Sequence, residues 1–160
     1  RKDIPPARYG VRQDSQPAGR QRRIKGSVGK DKKASMMKIL LVSDNPSGFD
    51  SLHKGLLKHS GVMVDMAGTF DEAMAGISVT MPALVVVDDF LGGVPGKQVI
   101  EDMIRKNPMV NTALVSPLSD EDFHEDTEGL GILMPIRKNA GEAQARELIE
   151  RLEKLLSLYK

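Results

Sequence analysis

The 160-residue chain contains no cysteine and no tryptophan, and only 4% of its residues are aromatic. The absence of cysteine excludes disulfide bonds, zinc–thiolate sites and cysteine nucleophiles. The chain also lacks any apolar run that approaches the ~18 residues of a membrane-spanning helix. We therefore expect a globular protein that has neither a membrane segment nor a membrane partner.

The formal net charge is small, at +1, but this value averages two unlike segments. Residues 1–36 carry 11 Lys and Arg against 3 Asp and Glu, whereas residues 37–160 carry 12 against 19. The first segment has a formal charge of +8 and the second has −7. This change of charge divides the chain into a basic arm, residues 1–36, and an acidic region, residues 37–160.

The basic arm contains four glycines and three prolines, and its few apolar residues follow neither the helix nor the strand period. Such a segment cannot offset the entropy cost of its own ordering, so we predict that residues 1–36 are disordered. Its lysines and arginines could bind the phosphates of a nucleic acid. A solvated tail, native or not, is the simpler interpretation.

Five short apolar runs in the acidic region have the length and composition of β-strands. They occupy residues 38–42, 62–67, 83–87, 112–116 and 131–135. The third run is rich in β-branched residues, follows Pro82 and ends at two aspartates. This pattern is typical of a central parallel strand that is buried on both faces.

Helical patterns alternate with these strands. We predict helices from Phe49 to residue 59, from the N-cap Thr69 through Ile77, and over residues 98–106, 119–126 and 141–159. Five strands that alternate with five helices predict a doubly wound α/β fold, in which helices cover both faces of a five-stranded parallel sheet. In this class of fold, the functional crevice lies at the carboxyl ends of the strands.

Polar residues follow several of the predicted strands. Asp44 comes after the first strand, Asp88 and Asp89 follow the third, and Ser116 ends the fourth. Carboxylates from two strands that meet at one sheet edge repel each other unless a cation or a proton lies between them. Mg²⁺ suits such a site because it binds one or two carboxylates, keeps several waters and accepts a phosphate oxygen. Asp89 is interpreted as a loop residue.

Residues 37–160 resemble the response-regulator receiver domain, the phosphoacceptor module of two-component signalling. The resemblance rests on the segments KILLVSDN, ALVVVDDFLGGVPG, ALVSP and ILMP. It implies a flavodoxin-like fold and a cytoplasmic, bacterial protein that acts in a phosphorelay. It also implies two partners, which are a histidine kinase or phosphotransfer protein and a downstream protein target.

The resemblance implies roles for four residues. Asp88 corresponds to the phosphoacceptor aspartate, and Ser116 corresponds to the Ser or Thr that hydrogen-bonds the phosphoryl group and acts as a switch. Asp44 corresponds to the second acid of the family's acidic pair. Asp44, Asp88 and the backbone carbonyl of Phe90 would bind Mg²⁺. The only catalysis expected is self-catalysed phosphoryl transfer to Asp88.

The chain departs from the family pattern at two positions near the site. Ser43 stands in place of the first acid of the acidic pair and removes one negative charge from the cation pocket. Met134 stands where the family has a lysine, just before Pro135, so we predict that this lysine is missing. Arg137 and Lys138 follow closely, and one of them could reach back to the site. These departures indicate a divergent receiver.

The resemblance and these departures lead to two hypotheses of different functional classes. The first is a single-domain response regulator that accepts phosphate on Asp88 and signals by protein contact. The alternative is a phosphorylation-independent pseudo-receiver that serves as a constitutive protein-interaction module. A weaker third function is a nucleic-acid tether formed by the arm, residues 1–36. The apolar stripe of the last helix, residues 141–159, could also form a homodimer, although burial against its own sheet explains most of that stripe.

Overall fold

The structure is a computed structural model that describes residues 36–158. The basic arm, apart from Met36, lies outside this range, so its disorder and its contact with nucleic acid stay predictions. Tyr159, at the end of the predicted last helix, also lies outside it. Within residues 36–158, no helix is long and apolar enough to cross a bilayer.

Residues 36–158 contain seven strands. They are β1 (Met37–Val42), β2 (Val62–Ala67), β3 (Leu84–Val87), β4 (Phe90–Leu91), β5 (Val94–Pro95), β6 (Thr112–Val115) and β7 (Pro135–Ile136). Five of them form a parallel sheet in the order β2-β1-β3-β6-β7, and β4 and β5 form a separate antiparallel hairpin. This order confirms the predicted doubly wound sheet, and the order reverses between β1 and β3.

Five α-helices connect and follow these strands. They are α1 (Asp50–Leu57), α2 (Phe70–Thr80), α3 (Gly96–Lys106), α4 (Asp120–Asp126) and α5 (Glu142–Ser157), and a 3₁₀ helix over Pro46–Phe49 precedes α1. The predicted N-cap of α2 is confirmed, because the Thr69 hydroxyl accepts a hydrogen bond from the Glu72 N–H at 3.1 Å. Ser119 caps α4 in the same way.

The core has two layers because successive side chains of a strand point to opposite faces of the sheet. Ile39 and Leu41 of β1 pack on the face covered by α1 and α5. Leu40 and Val42 pack on the other face, with residues of α2 and α3. All four residues of β3 are completely buried, as predicted for the central strand.

The fifth strand of the sheet lies later in the chain than predicted. We expected it over residues 131–135, but β7 comprises Pro135 and Ile136. Gly131 has a φ of +67°, a left-handed conformation that is incompatible with a strand. Met134 is buried in the core, at 2% exposure. The residues that follow β7 at the carboxyl edge are therefore Arg137 and Lys138.

The last helix, α5, buries its apolar stripe against its own domain. Leu148 and Leu152 are fully buried, whereas Leu158 after the last turn is 75% exposed. Helix α5 also lies close to α1, since a Cβ atom added to Gly55 would lie 2.9 Å from the Cβ of Ala145. Burial within the domain accounts for the first part of the stripe, through Leu152, and Leu155 and Leu156 are partly buried. A homodimer through residues 141–159 stays a prediction.

Candidate functional site

The central strands position the carboxylates of the site. Val42 and Val87, the last residues of β1 and β3, lie opposite each other in the sheet. The N–H of Asp88 donates a hydrogen bond to the carbonyl of Val42 at 3.0 Å. Ser43 and Asp44 consequently follow β1 at the same sheet edge where Asp88 follows β3, as the sequence predicted.

Both carboxylate oxygens of Asp88 accept hydrogen bonds. The Ser43 hydroxyl donates to Oδ2 at 2.6 Å, and the N–H of Asp89 donates to Oδ1 at 2.8 Å. The Ser43 oxygen itself accepts from the N–H of Asn45 at 2.9 Å, and Ser43 is only 2% exposed. The residue in place of the family's first acid is therefore a neutral donor that orients Asp88.

Lys138 brings a positive charge to this edge of the sheet. Its Nζ lies 3.1 Å from Oδ1 and 3.2 Å from Oδ2 of Asp89. Met134, which we aligned with the family's lysine, lies in the core, and β7 extends to Ile136, so Lys138 is the lysine that this edge presents. That Lys138 serves in place of the family's lysine stays a prediction. The sequence pattern is consistent with this later strand end, because the apolar run LMPI continues through residue 136.

The three ionisable groups perturb one another. Burial raises the pKa of Asp88, and the neighbouring Asp89 carboxylate raises it further, whereas the hydrogen bonds from Ser43 and the Asp89 backbone act to lower it. Burial also acts to raise the pKa of Asp89, but the hydrogen bond and charge of Lys138 outweigh burial and lower it. The hydrogen bond to Asp89 in turn raises the pKa of Lys138. In this pair of acids, Asp88 binds a proton more readily.

A tight turn presents Lys138 to the site. The N–H of Ala140 donates to the carbonyl of Arg137 at 3.1 Å, which closes a β-turn over residues 137–140. Asn139, the third residue of this turn, has a φ of +58°, a left-handed conformation that asparagine tolerates better than most residues. The backbone of Lys138 is thereby fixed while its side chain extends over Asp89.

Arg137 connects the same turn to the loop between β6 and α4. Its guanidinium donates hydrogen bonds to the carbonyls of Ser116, at 3.0 Å, and Leu118. It also pairs with a carboxylate oxygen of Asp120 at 3.0 Å. The Arg137 N–H donates to the Gln144 side chain at 2.8 Å. The sequence indicated only that Arg137 or Lys138 could reach the site. In the structure, Arg137 binds the loop between β6 and α4, whereas Lys138 binds Asp89.

Ser116 lies next to β6 and is 7% exposed. Its N–H donates to the carbonyl of Ile136 at 2.9 Å, and its hydroxyl accepts from the N–H of Leu118 at 3.2 Å. These contacts hold Ser116 at the carboxyl edge of the sheet, but its hydroxyl bonds to its own loop and not to Asp88. Its contact with a phosphoryl group stays a prediction.

The candidate metal ligands lie around the loop that follows β3. The N–H of Gly92 donates to Oδ2 of Asp44 at 2.8 Å, which fixes the end of β1 to the β4–β5 hairpin. Phe90 lies in this hairpin, and the N–H of Gly96 donates to the carbonyl of Asp89 at 2.7 Å. Asp44 is thus linked to the hairpin that contains Phe90, and Asp88 lies two residues before Phe90 in the chain.

The set of candidate ligands is small. Within residues 36–158, no group of three or more acidic or histidine side chains is arranged to bind a metal ion. The predicted ligands would supply two carboxylates, from Asp44 and Asp88, and the backbone carbonyl of Phe90. Mg²⁺ in proteins is held by one or two carboxylates and several waters, so the chemistry of these oxygen donors fits Mg²⁺.

A cavity of about 30 Å³ lies beside Asp88. It is lined by Asn45, Gly48, Phe49, Asp88, Val115, Arg137, Lys138 and Asn139. This volume holds about one or two water molecules. Among the residues that line this cavity, Lys138 has an exposed side chain that can move without disturbing the core.

The sequence matches no protein-family model, and no curated protein is significantly similar to it. Solved structures nevertheless share its fold. A CheY-like response-regulator receiver domain protein from Methanospirillum hungatei has a TM-score of 0.60 and 24% identity, over 77% of this chain and 95% of that one. The signal receiver domain of an HD domain-containing protein from Pseudomonas fluorescens has a TM-score of 0.64 and 18% identity, over 79% and 93%.

The chemotaxis response regulator CheY4 of Vibrio cholerae gives a similar result. Its TM-score is 0.62 and its identity 15%, over 74% of this chain and 99% of that one. Each of the three proteins is similar to about three quarters of this chain. Together with the strand order, they show that this chain has the fold of response-regulator receiver domains.

Proposed function

We propose that residues 37–160 act as a receiver domain in phosphorelay signalling, with Asp88 as the phosphoacceptor. The observation that carries this proposal is the position of Asp88. It follows the central strand at the carboxyl edge, its carboxylate is oriented by Ser43 and the Asp89 backbone, and the Lys138 ammonium lies at the neighbouring residue. Burial of this kind beside a charged partner is typical of functional carboxylates.

The phosphodonor is a phosphohistidine of a kinase or phosphotransfer protein. A carboxylate oxygen of Asp88 attacks the phosphorus atom, and the O–P bond forms as the P–N bond breaks. The imidazole leaves with the bonding electron pair and takes up a proton. This self-phosphorylation is the only catalysis that we propose.

Phosphorylation increases the negative charge at the edge, and two groups would balance it. Lys138 lies close enough to transfer from Asp89 to a phosphoryl oxygen by rotating its side chain. Asp44, Asp88 and the Phe90 carbonyl would hold Mg²⁺, which neutralises phosphoryl charge when bound. Because Ser43 supplies a hydrogen bond in place of a charge, we expect weaker Mg²⁺ binding than at a site with three acids.

The output acts through protein contact with a downstream target. Ser116 and the loop that follows it are the part of the domain that would respond, because Arg137 connects this loop to the turn bearing Lys138. We expect the Ser116 hydroxyl to exchange its bond to Leu118 for a bond to the phosphoryl group.

A titration with beryllofluoride, a phosphoryl mimic, tests the proposal. In the full chain with millimolar Mg²⁺, amide NMR signals near Asp88 and Ser116 should shift, and Mg²⁺ alone should shift only those near Asp44 and Asp88. Asp88→Asn should abolish the beryllofluoride shifts. The matched control is Asp65→Asn, which removes an exposed acid on the edge strand β2 and should leave the shifts unchanged.

An unchanged spectrum of the wild-type chain would contradict the phosphoacceptor role. It would favour the alternative, a pseudo-receiver that binds its partners without phosphorylation.

The nucleic-acid tether requires DNA binding that falls steeply with salt and is lost when residues 1–36 are removed. DNA binding that survives this truncation would contradict it.

A further inference from the structure

The ion pair between Asp89 and Lys138 lies directly beside the phosphoacceptor. The ammonium contacts both carboxylate oxygens of Asp89, although Asp88 is the adjacent residue in the chain. Each oxygen of Asp88 accepts one hydrogen bond, from the Ser43 hydroxyl or from the Asp89 N–H. In this arrangement Lys138 neutralises the neighbour of the phosphoacceptor and not the phosphoacceptor itself.

We propose that Asp89 is a positioning residue that competes for Lys138 and thereby lowers the affinity of the site for a phosphoryl group. This inference rests on the proposed function of Asp88. A phosphoryl group attached to Asp88 must recruit the ammonium from Asp89, so the free energy of the Asp89–Lys138 pair is subtracted from the binding free energy of the phosphoryl group.

The strength of the pair suits such a role. The Lys138 side chain is 64% exposed and that of Asp89 is 28% exposed, so the pair is weak and readily exchanged. The turn over residues 137–140 fixes the backbone of Lys138, so that only its flexible four-carbon side chain has to move. The other charged groups at the edge are already engaged, because Arg137 binds the β6–α4 loop and Asp44 accepts a bond from Gly92.

A double-mutant cycle tests this competition and separates it from a simple charge effect. Beryllofluoride affinity is measured at fixed Mg²⁺ for the full-length wild type, Asp89→Asn, Lys138→Met and the double variant. When Lys138 is present, Asp89→Asn should tighten binding about three- to fivefold, and fivefold corresponds to about 1 kcal/mol. When Lys138 is replaced by Met, the same substitution should change the affinity by less than about 1.5-fold.

The conservative variant Asp89→Glu provides the matched control. It retains the carboxylate, so it should keep the affinity close to the wild-type value. Urea unfolding should show nearly equal stability for all the variants, because a partly exposed pair contributes little to the fold. An affinity gain in a variant of unchanged stability therefore reports on the site.

Two results would overturn the inference while leaving the proposed function intact. Equal tightening by Asp89→Asn with and without Lys138 would mean that only the net charge of the edge matters. If Asp89→Asn binds beryllofluoride with unchanged or lower affinity, then Asp89 does not compete with the phosphoryl group for Lys138. Failure of all four proteins to bind beryllofluoride would instead overturn the proposed function, and this inference with it.

Discussion

The two sides of the site are built by different kinds of interaction. The acidic side, which consists of Ser43, Asp44 and Asp88, follows β1 and β3 and is fixed by backbone hydrogen bonds between buried strands. The basic side, which consists of Arg137 and Lys138, follows the two-residue strand β7 and is held mainly by side-chain hydrogen bonds. The same edge therefore combines a rigid group of acids with an adjustable group of cations.

Because of this difference, the acids have fixed positions, whereas the cations can change their contacts. The acids are positioned before any ligand arrives, because the core fixes the ends of β1 and β3. The cations can exchange partners without disturbing the core, since each of their bonds lies at least partly in solvent. A change of charge at Asp88 should therefore be transmitted through the basic side.

The largest expected effect comes from disturbing the rigid side with Gly96→Ala. The added Cβ atom would lie 2.2 Å from the Asp88 carbonyl oxygen and 2.6 Å from Cδ1 of Leu114, so the backbone after β3 has to move. We expect the free energy of unfolding to fall by about 3 kcal/mol, measured by urea denaturation.

The control for this substitution is Gly48→Ala. An added Cβ atom at Gly48 meets nothing within 4 Å, although this residue also lines the cavity beside Asp88. Its effect should stay within about 0.5 kcal/mol. If the two variants unfold at the same urea concentration, the acidic side is not as tightly fixed as its packing indicates.

A smaller effect should follow from loosening the basic side with Arg137→Ala. This change removes the bonds to the carbonyls of Ser116 and Leu118 and the pair with Asp120. We expect a loss of about 1 kcal/mol and faster amide hydrogen exchange in residues 116–119. Arg151→Ala, which breaks only an exposed pair within α5, should leave that exchange unchanged. Equal exchange in both variants would show that Arg137 does not hold the loop.

The smallest effect concerns the charge of Asp88. Because its pKa is raised in the folded state, Asp88 stabilises the fold below its unfolded-state pKa and loses this contribution as the pH rises through the folded-state pKa. Asp88→Asn should therefore increase the free energy of unfolding at pH 7, by up to about 0.5 kcal/mol. The gain should shrink toward pH 3, as urea denaturation at both pH values would show. A gain that grows in acid would contradict the raised pKa.

The acidic side could be predicted from the sequence because it depends on local patterns. The run over residues 83–87 is apolar, β-branched and ended by Asp88, which determines both the strand and the residue at its carboxyl end. The same argument places Asp44 after β1. The alternation of five sheet strands with five helices was confirmed for the same reason, since each element has its own period and its own stop signal. The short hairpin of β4 and β5 was not predicted, because its segment was interpreted as a loop.

The basic side could not be predicted in the same way. Pro135 was taken as the end of the last strand, but it is the first residue of β7, and the left-handed Gly131 delays the strand. The groups that the Arg137 and Lys138 side chains contact lie 17 to 49 residues away in the chain. Such contacts depend on the assembled fold, so no local sequence pattern indicates which carboxylate forms the ion pair with Lys138.

The shortness of β7 has a consequence for partial unfolding. A two-residue strand contributes fewer ladder bonds than the four-residue β3, so the turn over residues 137–140, in which Lys138 and Asn139 are exposed, should open at a lower free energy than β3. In mild urea, the turn over residues 137–140 should unfold while Asp44 and Asp88, which follow β1 and β3, keep their positions. In that partly open state the acidic side should still attract cations, but the Lys138 ammonium should no longer lie beside Asp89.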